Sequence, residues 1–252
     1  MKTTRLLLLL AAFALAGCAG IPGPNPRDPL EPFNRSMMDF NEHVDSVVLR
    51  PVATAYRNGL PPAVRTGVAN FFANLSDVWS FVNSALQFRL QDAGESLARF
   101  QLNSTLGFFG IYDAASYLNI EKHHEDFGQT LGRWGVPPGP FIMLPILGPS
   151  TLRDTLALPI DWKGDLIWRM PRGDERSALY ALRAIDRRAN LLRAGDVLDA
   201  ASLDKYSFTR DAHLQRRSAE VFDYKRENND DGAEPKDDAA PAARQPASAP
   251  AR

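Results

Sequence analysis

The sequence predicts an all-α fold. Several segments place large apolar residues three and four positions apart, as amphipathic helices do, whereas few segments alternate apolar and polar residues as a half-buried strand does. A proline pair, Pro61 and Pro62, stands where a helix can begin, because proline is tolerated in the first turn. With 252 residues, 44% of them hydrophobic, the chain has enough apolar material for the core of one or two domains.

The first seventeen residues have the layout of a cleaved secretory signal peptide. Lys2 and Arg5 supply the positive start, residues 6–14 form an apolar core, and small residues follow. The apolar core is too short to span a bilayer stably. We therefore expect residues 1–17 to be removed from the mature protein.

Cys18 is the only cysteine in the sequence, and it directly follows this segment. The stretch LAGC, residues 15–18, resembles the bacterial lipobox. That resemblance implies that Cys18 becomes the first mature residue and carries thioether-linked diacylglycerol and an N-acyl chain such as palmitate. Residues 18–27 are then a lipidated linker, and Ala19 implies sorting to the outer membrane. A single cysteine also excludes a disulfide within the chain.

Three helices are predicted in the first half of the body. The first covers residues 34–57, with Asn34 as its N-cap and a kink or break at Pro51. The second covers residues 61–88 and the third residues 93–109. Amphipathicity leaves open whether the apolar face of the second helix packs on other helices or contacts lipid. That face consists of Val64, Val68, Phe71, Phe72, Leu75, Val78, Trp79, Val82 and Leu86.

The central stretch GVPPGPFIMLPILGP, residues 135–149, is predicted to be a shaped loop. Its five prolines forbid a sustained helix, because each removes a backbone donor and clashes with the preceding turn. Loops usually run through water and are polar. This apolar loop therefore needs a core, a partner or lipid to cover it.

Two more helices and a tail complete the predicted organisation. Asp174 is the predicted N-cap of a helix with one apolar face. That face consists of Leu179, Leu182, Ile185, Ala189 and Leu192. The last helix is expected at residues 202–224. From residue 228 onward the chain is rich in Ala, Pro and charge, so residues 228–252 are predicted to be a disordered tail after a helical domain of residues 28–227.

Composition and motifs argue against several functional classes. A formal net charge of −1 argues against a nucleic-acid partner, and no apolar run reaches the ~18 residues of a spanning helix. No P-loop, dinucleotide fingerprint or G-x-S-x-G elbow occurs, so we predict neither a cofactor nor an enzyme. Arginines outnumber lysines by 23 to 6. This excess suits phosphate contacts in lipid headgroups, and a genome-composition bias explains it at least equally well.

The stretch EKHHED, residues 121–126, is the one segment that invites a metal-site interpretation. Neighbouring histidines point about 100 degrees apart on a helix. No H-E-x-x-H motif or its inverse is present. We therefore predict no metal.

Four blocks of the sequence resemble the MlaA (VacJ) family in their order and spacing. They are DPLEPFNR at residues 28–35, NSTLGFFGIYDAA at 103–115, EDFGQTLGRWGVPPGPFIMLPILGPSTLRD at 125–154 and DKYSFTRDAHLQRR at 204–217. The resemblance covers nearly all of residues 28–224.

The resemblance implies a fold, a location and a function. It implies a ring of amphipathic helices that lies in the inner leaflet of the outer membrane, faces the periplasm and encloses an amphipathic channel. It implies removal of misplaced phospholipids from the outer leaflet, which maintains lipid asymmetry. The implied partners are phospholipid, a trimeric outer-membrane porin and a soluble periplasmic lipid carrier of the MlaC type. Because no ATP motif is seen, transport through the chain itself should be passive.

The resemblance also implies roles for particular residues. In the family, the segment that corresponds to the central stretch forms a hairpin that packs against the channel and governs its conformation; a core-filling loop with no moving part is the alternative. The candidate hairpin residues are Gly135, Pro137, Gly139, Pro140, Phe141, Met143, Leu144, Pro145, Leu147 and Gly148. The stretch DFNEHV, residues 39–44, occupies the place of a family segment linked to channel closure. Phe40 and Asn41 are therefore candidate gate residues.

Two other functional classes remain open. A lipid-modifying enzyme requires Asp113, His123 and Asp126 to converge with a serine such as Ser104. A structural lipoprotein that only docks porins requires a closed helical bundle with no continuous passage.

Overall fold

A computed structural model of the chain describes residues 28–230, with side chains for all of these except residues 200, 201 and 223–230. The predicted signal peptide, Cys18 and the linker of residues 18–27 lie outside the described residues, as does the predicted tail beyond residue 230. These assignments stay predictions.

The described residues confirm the all-α class and add one small hairpin. The helices are α1 Glu31–Val44, α2 Arg50–Gly59, α3 Pro62–Leu86, α4 Leu90–Thr105, α5 Ala114–Tyr117, α6 Phe127–Arg133, α7 Leu152–Gly164, α8 Gly173–Ala201 and α9 Lys205–Asp230. A π-helical turn, Asp45–Leu49, joins α1 to α2, and a 3-10 turn, Leu166–Arg169, follows α7. In this part of the chain no helix combines the length and the apolar character needed to cross a membrane.

The start of α1 corrects the predicted N-cap. The helix begins at Glu31 after Leu30, with a proline in its first turn, so Asn34 lies one turn inside it and is completely buried. Proline is preorganised for a first helical turn, which moves the start upstream. The side-chain amide of Asn34 binds elsewhere in the fold, as described below. The predicted interruption at Pro51 is present as the π-helical turn that directly precedes α2.

Helix α3 differs from the helices of soluble proteins, which bury an apolar face and expose a polar one. Its buried side chains are mostly polar, whereas Val64 and Leu86 at the ends of the predicted apolar face are exposed. The buried positions are Gly67, Phe72, Asn74, Asp77, Ser80, Asn83 and Ser84. Helix α4 packs along α3 through a polar face of its own, in which Arg99 is almost fully buried.

The described side chains taken together show the same tendency. Eighteen polar or charged residues are buried against twelve apolar ones, and thirty-one large apolar residues are exposed. The most exposed aromatic side chains stand at the corners between helices: Phe88 is 86% exposed, Phe108 76% and Phe109 78%. Each of these three corner residues has a positive φ. Large apolar patches are rare on soluble monomers, and the exposed Phe108 and Phe109 are adjacent in the chain.

The central stretch contains an antiparallel hairpin, which we call the hairpin: strand β1, Phe141–Leu144, a turn at residues 145–147, and strand β2, Gly148–Thr151. Phe141 pairs with Thr151 and Leu144 with Gly148. At the tip, Ile146 has φ 66° and Gly148 has φ 84°, so the tight turn depends on one glycine and one strained β-branched residue. The expected shaped loop is therefore a hairpin, as the family resemblance implied.

Of the two C-terminal helices, α8 packs on α2 and α9 packs on the hairpin. Helix α8 begins at Gly173 after Arg172, so Asp174 is in its first turn and is not its N-cap. Its predicted apolar face is real: Ala189 and Leu192 are buried against Ala53 of α2. Helix α9 runs past the expected end at residue 224 to Asp230. Near its start, Tyr206 packs against Phe141 and Met143 of β1.

Candidate functional site

A cavity of about 930 Å³ lies between α3, α7, α8 and α9 and the segment that leads into α6. Charged and aromatic side chains line the cavity together, and Leu147 of the hairpin reaches its wall. The lining residues are Leu75, Ser76, Trp79, Ser80, His124, Glu125, Asp126, Gln129, Leu147, Leu158, Asp161, Trp162, Asp165, Trp168, Tyr180, Arg183, Ala184, Arg187, Arg216, Arg217 and Glu220. Its volume lies in the range of small-molecule pockets, and its walls are amphipathic.

One wall of the cavity is held in place by Asp161 of α7. Its Oδ1 atom accepts a hydrogen bond of 2.8 Å from the Trp79 indole and another of 2.8 Å from the backbone N–H of Phe127. These bonds join α3, α6 and α7 at one point. Burial raises the pKa of Asp161 above its ordinary value, although both hydrogen bonds act in the opposite direction.

A second wall depends on Arg217 of α9. Its guanidinium donates hydrogen bonds to both oxygens of Asp126 at 2.8 and 3.0 Å and to Asp154 at 2.9 Å, and it also contacts Glu220. Burial lowers the pKa of Arg217, but these carboxylates raise it above the ordinary arginine value. One side chain thus ties the starts of α6 and α7 to α9. The sequence gives no local signal for this group, because Asp126 lies 91 residues away.

Two asparagines of α1 hold the hairpin by its backbone. The Asn34 amide donates to the Phe141 carbonyl at 3.0 Å and accepts from the Met143 N–H at 2.8 Å. Two helical turns later, Asn41 donates to the Leu144 carbonyl at 2.9 Å and accepts from the Ile146 N–H at 2.6 Å. The two amides take the place of a third strand along the open edge of β1.

The structure places the two predicted gate residues differently. Asn41 contacts the hairpin tip, whereas Phe40 is half exposed. Asn34 makes the same kind of contact as Asn41, although the sequence pattern assigned it to a helix cap. Its position on the same helical face as Asn41, at i and i+7, is the signal that could have found it.

The candidate hairpin residues lie in different surroundings. Phe141 and Met143 are buried under Tyr206, and Leu147 lines the cavity. Leu144 and Gly148 form the last residue pair of the two strands, beside the tip. Gly135 and Gly139 have positive φ, and a Cβ at Gly139 would meet Leu152 at 3.0 Å. Pro137 and Pro145 are exposed, and Pro140 is partly exposed. Their part in channel movement stays a prediction.

The base of the hairpin is tied to the point where the chain enters the domain. Asp28 is fully buried and accepts hydrogen bonds from the Tyr206 hydroxyl at 2.5 Å and from Arg210 at 2.9 Å. Burial and Asp28 raise the pKa of Tyr206. The ring of His213, two helical turns further along α9, packs on Phe141 at 6.0 Å between ring centres. Burial lowers the pKa of His213 to about 4, so the imidazole in this packing is neutral at neutral pH.

Asn41→Ala is expected to free the hairpin tip and leave its base attached. The Ile146 amide loses its acceptor, so its hydrogen–deuterium exchange should accelerate about tenfold or more, while the Met143 amide keeps its bond to Asn34. Exchange mass spectrometry on the detergent-solubilised chain measures both. Ser36→Ala, an exposed substitution on the same helix, is the control. Unchanged exchange at Ile146 in Asn41→Ala would contradict the assignment.

The four residues that an enzyme interpretation requires take separate partners. Ser104 accepts from Asn74, Asp113 pairs with Arg99, His123 bonds to Glu95, and Asp126 pairs with Arg217. In the part of the chain that the structure describes, no hydrogen bond joins one of these four to another.

The two neighbouring histidines point to different places. His124 lines the cavity, whereas His123 Nε2 lies 2.6 Å from Glu95 Oε2. Glu95, Glu121 and His123 each offer one potential metal ligand atom, and these atoms lie within 4.8 Å of one another. Glu95 and His123 are already bonded to each other, and acidic groups often lie together without an ion, so the group by itself does not define a metal centre.

The fold and the cavity together define a class: an α-helical protein with polar side chains and an amphipathic cavity inside and large apolar side chains outside. The model of the MlaA lipoprotein family matches residues 26–220. The chain belongs to this family.

Similar proteins span nearly the whole chain. The Escherichia coli (strain K12) protein named intermembrane phospholipid transport system lipoprotein MlaA is 37% identical over 229 residues, which cover 86% of this chain and 88% of that protein. The Haemophilus influenzae protein of the same name is 34% identical, covering 89% and 93%. A solved structure described as "Structural basis for maintenance of bacterial outer membrane lipid asymmetry" aligns with a TM-score of 0.68 and 36% identity over 77% of this chain and 98% of that one.

Proposed function

We propose that this chain is an outer-membrane lipoprotein that removes misplaced phospholipids from the outer leaflet through a passive amphipathic channel and so maintains lipid asymmetry. The observation that carries the proposal is the reversed distribution of side chains around a cavity of about 930 Å³. The names of the relatives support the same cargo and process.

The reversed distribution is explained by a lipid environment. Apolar side chains such as Phe88 and Phe108 lose nothing by facing acyl chains, whereas in water their exposure is unfavourable by about 25 cal/mol for each Å². Since no described helix is long and apolar enough to cross a bilayer, a position in one leaflet fits this surface best. We place the helices as a ring in the inner leaflet of the outer membrane, facing the periplasm.

The cavity supplies what a phospholipid needs in order to pass. A charged headgroup cannot readily cross hydrocarbon, because even one buried charge is costly there. The arginines, carboxylates and hydroxyls of the lining offer the headgroup polar contacts, and the indoles of Trp79, Trp162 and Trp168 offer apolar surface to the rest of the molecule. This lining favours transport over a structural lipoprotein that only docks porins.

The hairpin is the element that we propose to govern this passage. Its tip contributes Leu147 to the cavity wall, and Asn41 holds that tip by two hydrogen bonds. Movement of the tip away from α1 would change the cavity wall without unfolding a helix. As partners we propose a trimeric outer-membrane porin and a soluble periplasmic carrier of the MlaC type, which receives the lipid.

Loss of the chain is expected to raise the amount of phospholipid in the outer leaflet, measured with a surface-acting phospholipase on intact cells of the source bacterium. The full sequence should reverse the change. The Cys18→Ala variant should not reverse it, because the protein then lacks its acyl anchor. Stable attachment to a membrane needs more than one acyl group, and the modified Cys18 would supply them.

The matched control removes residues 228–252, which should leave asymmetry intact. Cell fractionation completes the test: retention of Cys18→Ala in the outer membrane at the level of the unaltered chain would disprove the proposed lipid anchor. Unchanged outer-leaflet phospholipid after loss of the whole chain would disprove the proposed function.

A further inference from the structure

Arg187 of α8 is a cation in the cavity wall whose nearest carboxylates, Asp165 and Asp186, act on it without forming a close ion pair. Its guanidinium makes no hydrogen bond or ion pair with any residue that the structure describes. The side chain is open to the space of the cavity, yet the surrounding protein and the charge of Arg183 lower the pKa of Arg187 from its ordinary value. A charge in such a place costs free energy unless a ligand or water compensates it, and uncompensated groups of this kind cluster at functional sites.

The neighbouring carboxylates compensate Arg187 only in part: Asp165 and Asp186 raise its pKa, but each is bonded to another side chain, Asp165 to Arg183 and Asp186 to Tyr56. Arg183, one turn earlier, is already occupied: its Nη1 atom lies 2.5 Å from Asp165 Oδ2, and its Nη2 atom donates to Ser76 at 3.3 Å. His124 lines the same cavity from the segment before α6. Burial, together with Lys122 and Arg187, lowers the pKa of His124, so its ring is neutral at neutral pH and has an N–H to donate.

We propose that Arg187 and His124 bind the phosphodiester group of a glycerophospholipid inside the cavity, with the glycerol and the first acyl carbons against the indoles beside it. This inference rests on the proposed function and names the contact at which the headgroup is recognised. A guanidinium binds a phosphate through two parallel N–H bonds, and His124 adds a third donor from another part of the chain.

The size and lining of the cavity favour a lipid over a free phosphate ion. A phosphate group fills only a small part of about 930 Å³, and the cavity wall also has a large apolar part. The apolar residues of that part are Leu75, Trp79, Leu147, Leu158, Trp162, Trp168 and Ala184. An amphiphile satisfies both kinds of surface at once.

Calorimetry tests the proposal. It measures the binding of three soluble probes to the full-length acylated protein in maltoside detergent. The probes are dihexanoylphosphatidylglycerol below its critical micelle concentration, uncharged dihexanoylglycerol, and inorganic phosphate. Arg187→Gln is expected to weaken binding of the phospholipid about tenfold or more and to leave dihexanoylglycerol unaffected. His124→Phe, on a separate segment, should weaken binding of the phospholipid by a smaller factor. Arg187→Lys should retain part of the phospholipid affinity.

Arg193→Gln is the matched control, because Arg193 lies on the same helix and does not line the cavity. Its phospholipid affinity should equal that of the unaltered chain, and each variant should keep the unaltered unfolding temperature. Equal phospholipid affinity in Arg187→Gln and the unaltered chain would overturn the proposed site. Inorganic phosphate binding as tightly as the phospholipid would overturn its assignment to a lipid.

The cellular assay separates this proposal from the proposed function. If Arg187→Gln binds phospholipid normally and the chain still maintains asymmetry, the phosphate site is wrong and the transport function stands. If Arg187→Gln loses the phospholipid but deletion of the whole chain leaves the outer leaflet unchanged, the site stands and the transport function is wrong.

Discussion

Arg217→Met is expected to lower the free energy of unfolding by about 3 kcal/mol. The substitution keeps the length and apolar stem of the side chain but leaves Asp126 and Asp154 without the cation that both contact at 2.8 to 3.0 Å. Removing one partner from a buried charge group typically costs about 3–5 kcal/mol. We expect the lower end of that range, because the Asp126 side chain is 40% exposed to solvent.

The loss of Arg217 should also change the cavity. Asp154 lies in the first turn of α7, directly after β2, and Asp126 is the N-cap of α6 in a capping box with Gln129. Asp154 keeps its ion pair with Arg153, but neither Asp126 nor Asp154 is then bonded to Arg217 of α9. The starts of α6 and α7 therefore separate from α9, and the cavity wall that they form loosens. Faster amide exchange at both helix starts is therefore expected together with the lower stability.

Arg216→Met is the control for this prediction. Arg216 is the adjacent residue and also lines the cavity, but its side chain is 68% exposed, and among the described residues its ion pair is one of 3.5 Å with Glu220. Its loss should change the unfolding free energy by less than about 1 kcal/mol. Thermal unfolding followed by circular dichroism measures both variants, and equal destabilisation by the two would show that the contacts of Arg217 are not what holds this wall.

The elements that the sequence predicted well are those with local signals. Helix α3 is long, begins at a proline pair and repeats its apolar residues at helical spacing, and α8 shows the same periodicity at Ala189 and Leu192. Helices α5 and α6 are short, and α7 contains Pro159, so none of these three had a pattern long enough to predict.

The direction in which helix faces point could not be predicted from periodicity. The broad apolar face of α3 has the pattern of a soluble core helix, yet the structure buries Asn74, Asp77 and Asn83 on the other side. The spacing of apolar residues shows that a helix has two unlike faces, but only the surrounding medium decides which face is buried. The surplus of buried polar groups became visible only when the whole fold was assembled.

Only part of the candidate site was predicted, and the prediction came from two different sources. The hairpin and Asn41 came from the family resemblance, and the sequence alone indicated only an apolar, proline-rich loop. Arg217 and Asp28 were missed because the partners that tie them to other elements lie between 63 and 182 residues away along the chain. Long-range ion pairs of this kind have no signature in spacing or composition.

Asn34→Leu is expected to lower the free energy of unfolding by about 3 kcal/mol and to detach the base of the hairpin from α1. The substitution fits the volume of the site but leaves the Phe141 carbonyl and the Met143 N–H buried without partners, each of which costs about 1–3 kcal/mol. Exchange of the Met143 amide should therefore accelerate much more than that of Ile146, the reverse of the pattern expected for Asn41→Ala.

Asn34→Asp separates the hydrogen bonds from the packing. A carboxylate still accepts from Met143, but it cannot donate to Phe141, and it stands close to Asp28, whose Oδ1 atom lies 3.4 Å from the Asn34 amide nitrogen. Asn190→Leu, at an exposed position with one weak bond to Asp186, is the control for the change from amide to alkyl. Asn34→Leu could prove as stable as Asn190→Leu, with the Met143 amide still protected from exchange. That result would show that packing under Tyr206 holds the hairpin and that the bonds of Asn34 and Asn41 do not control its position.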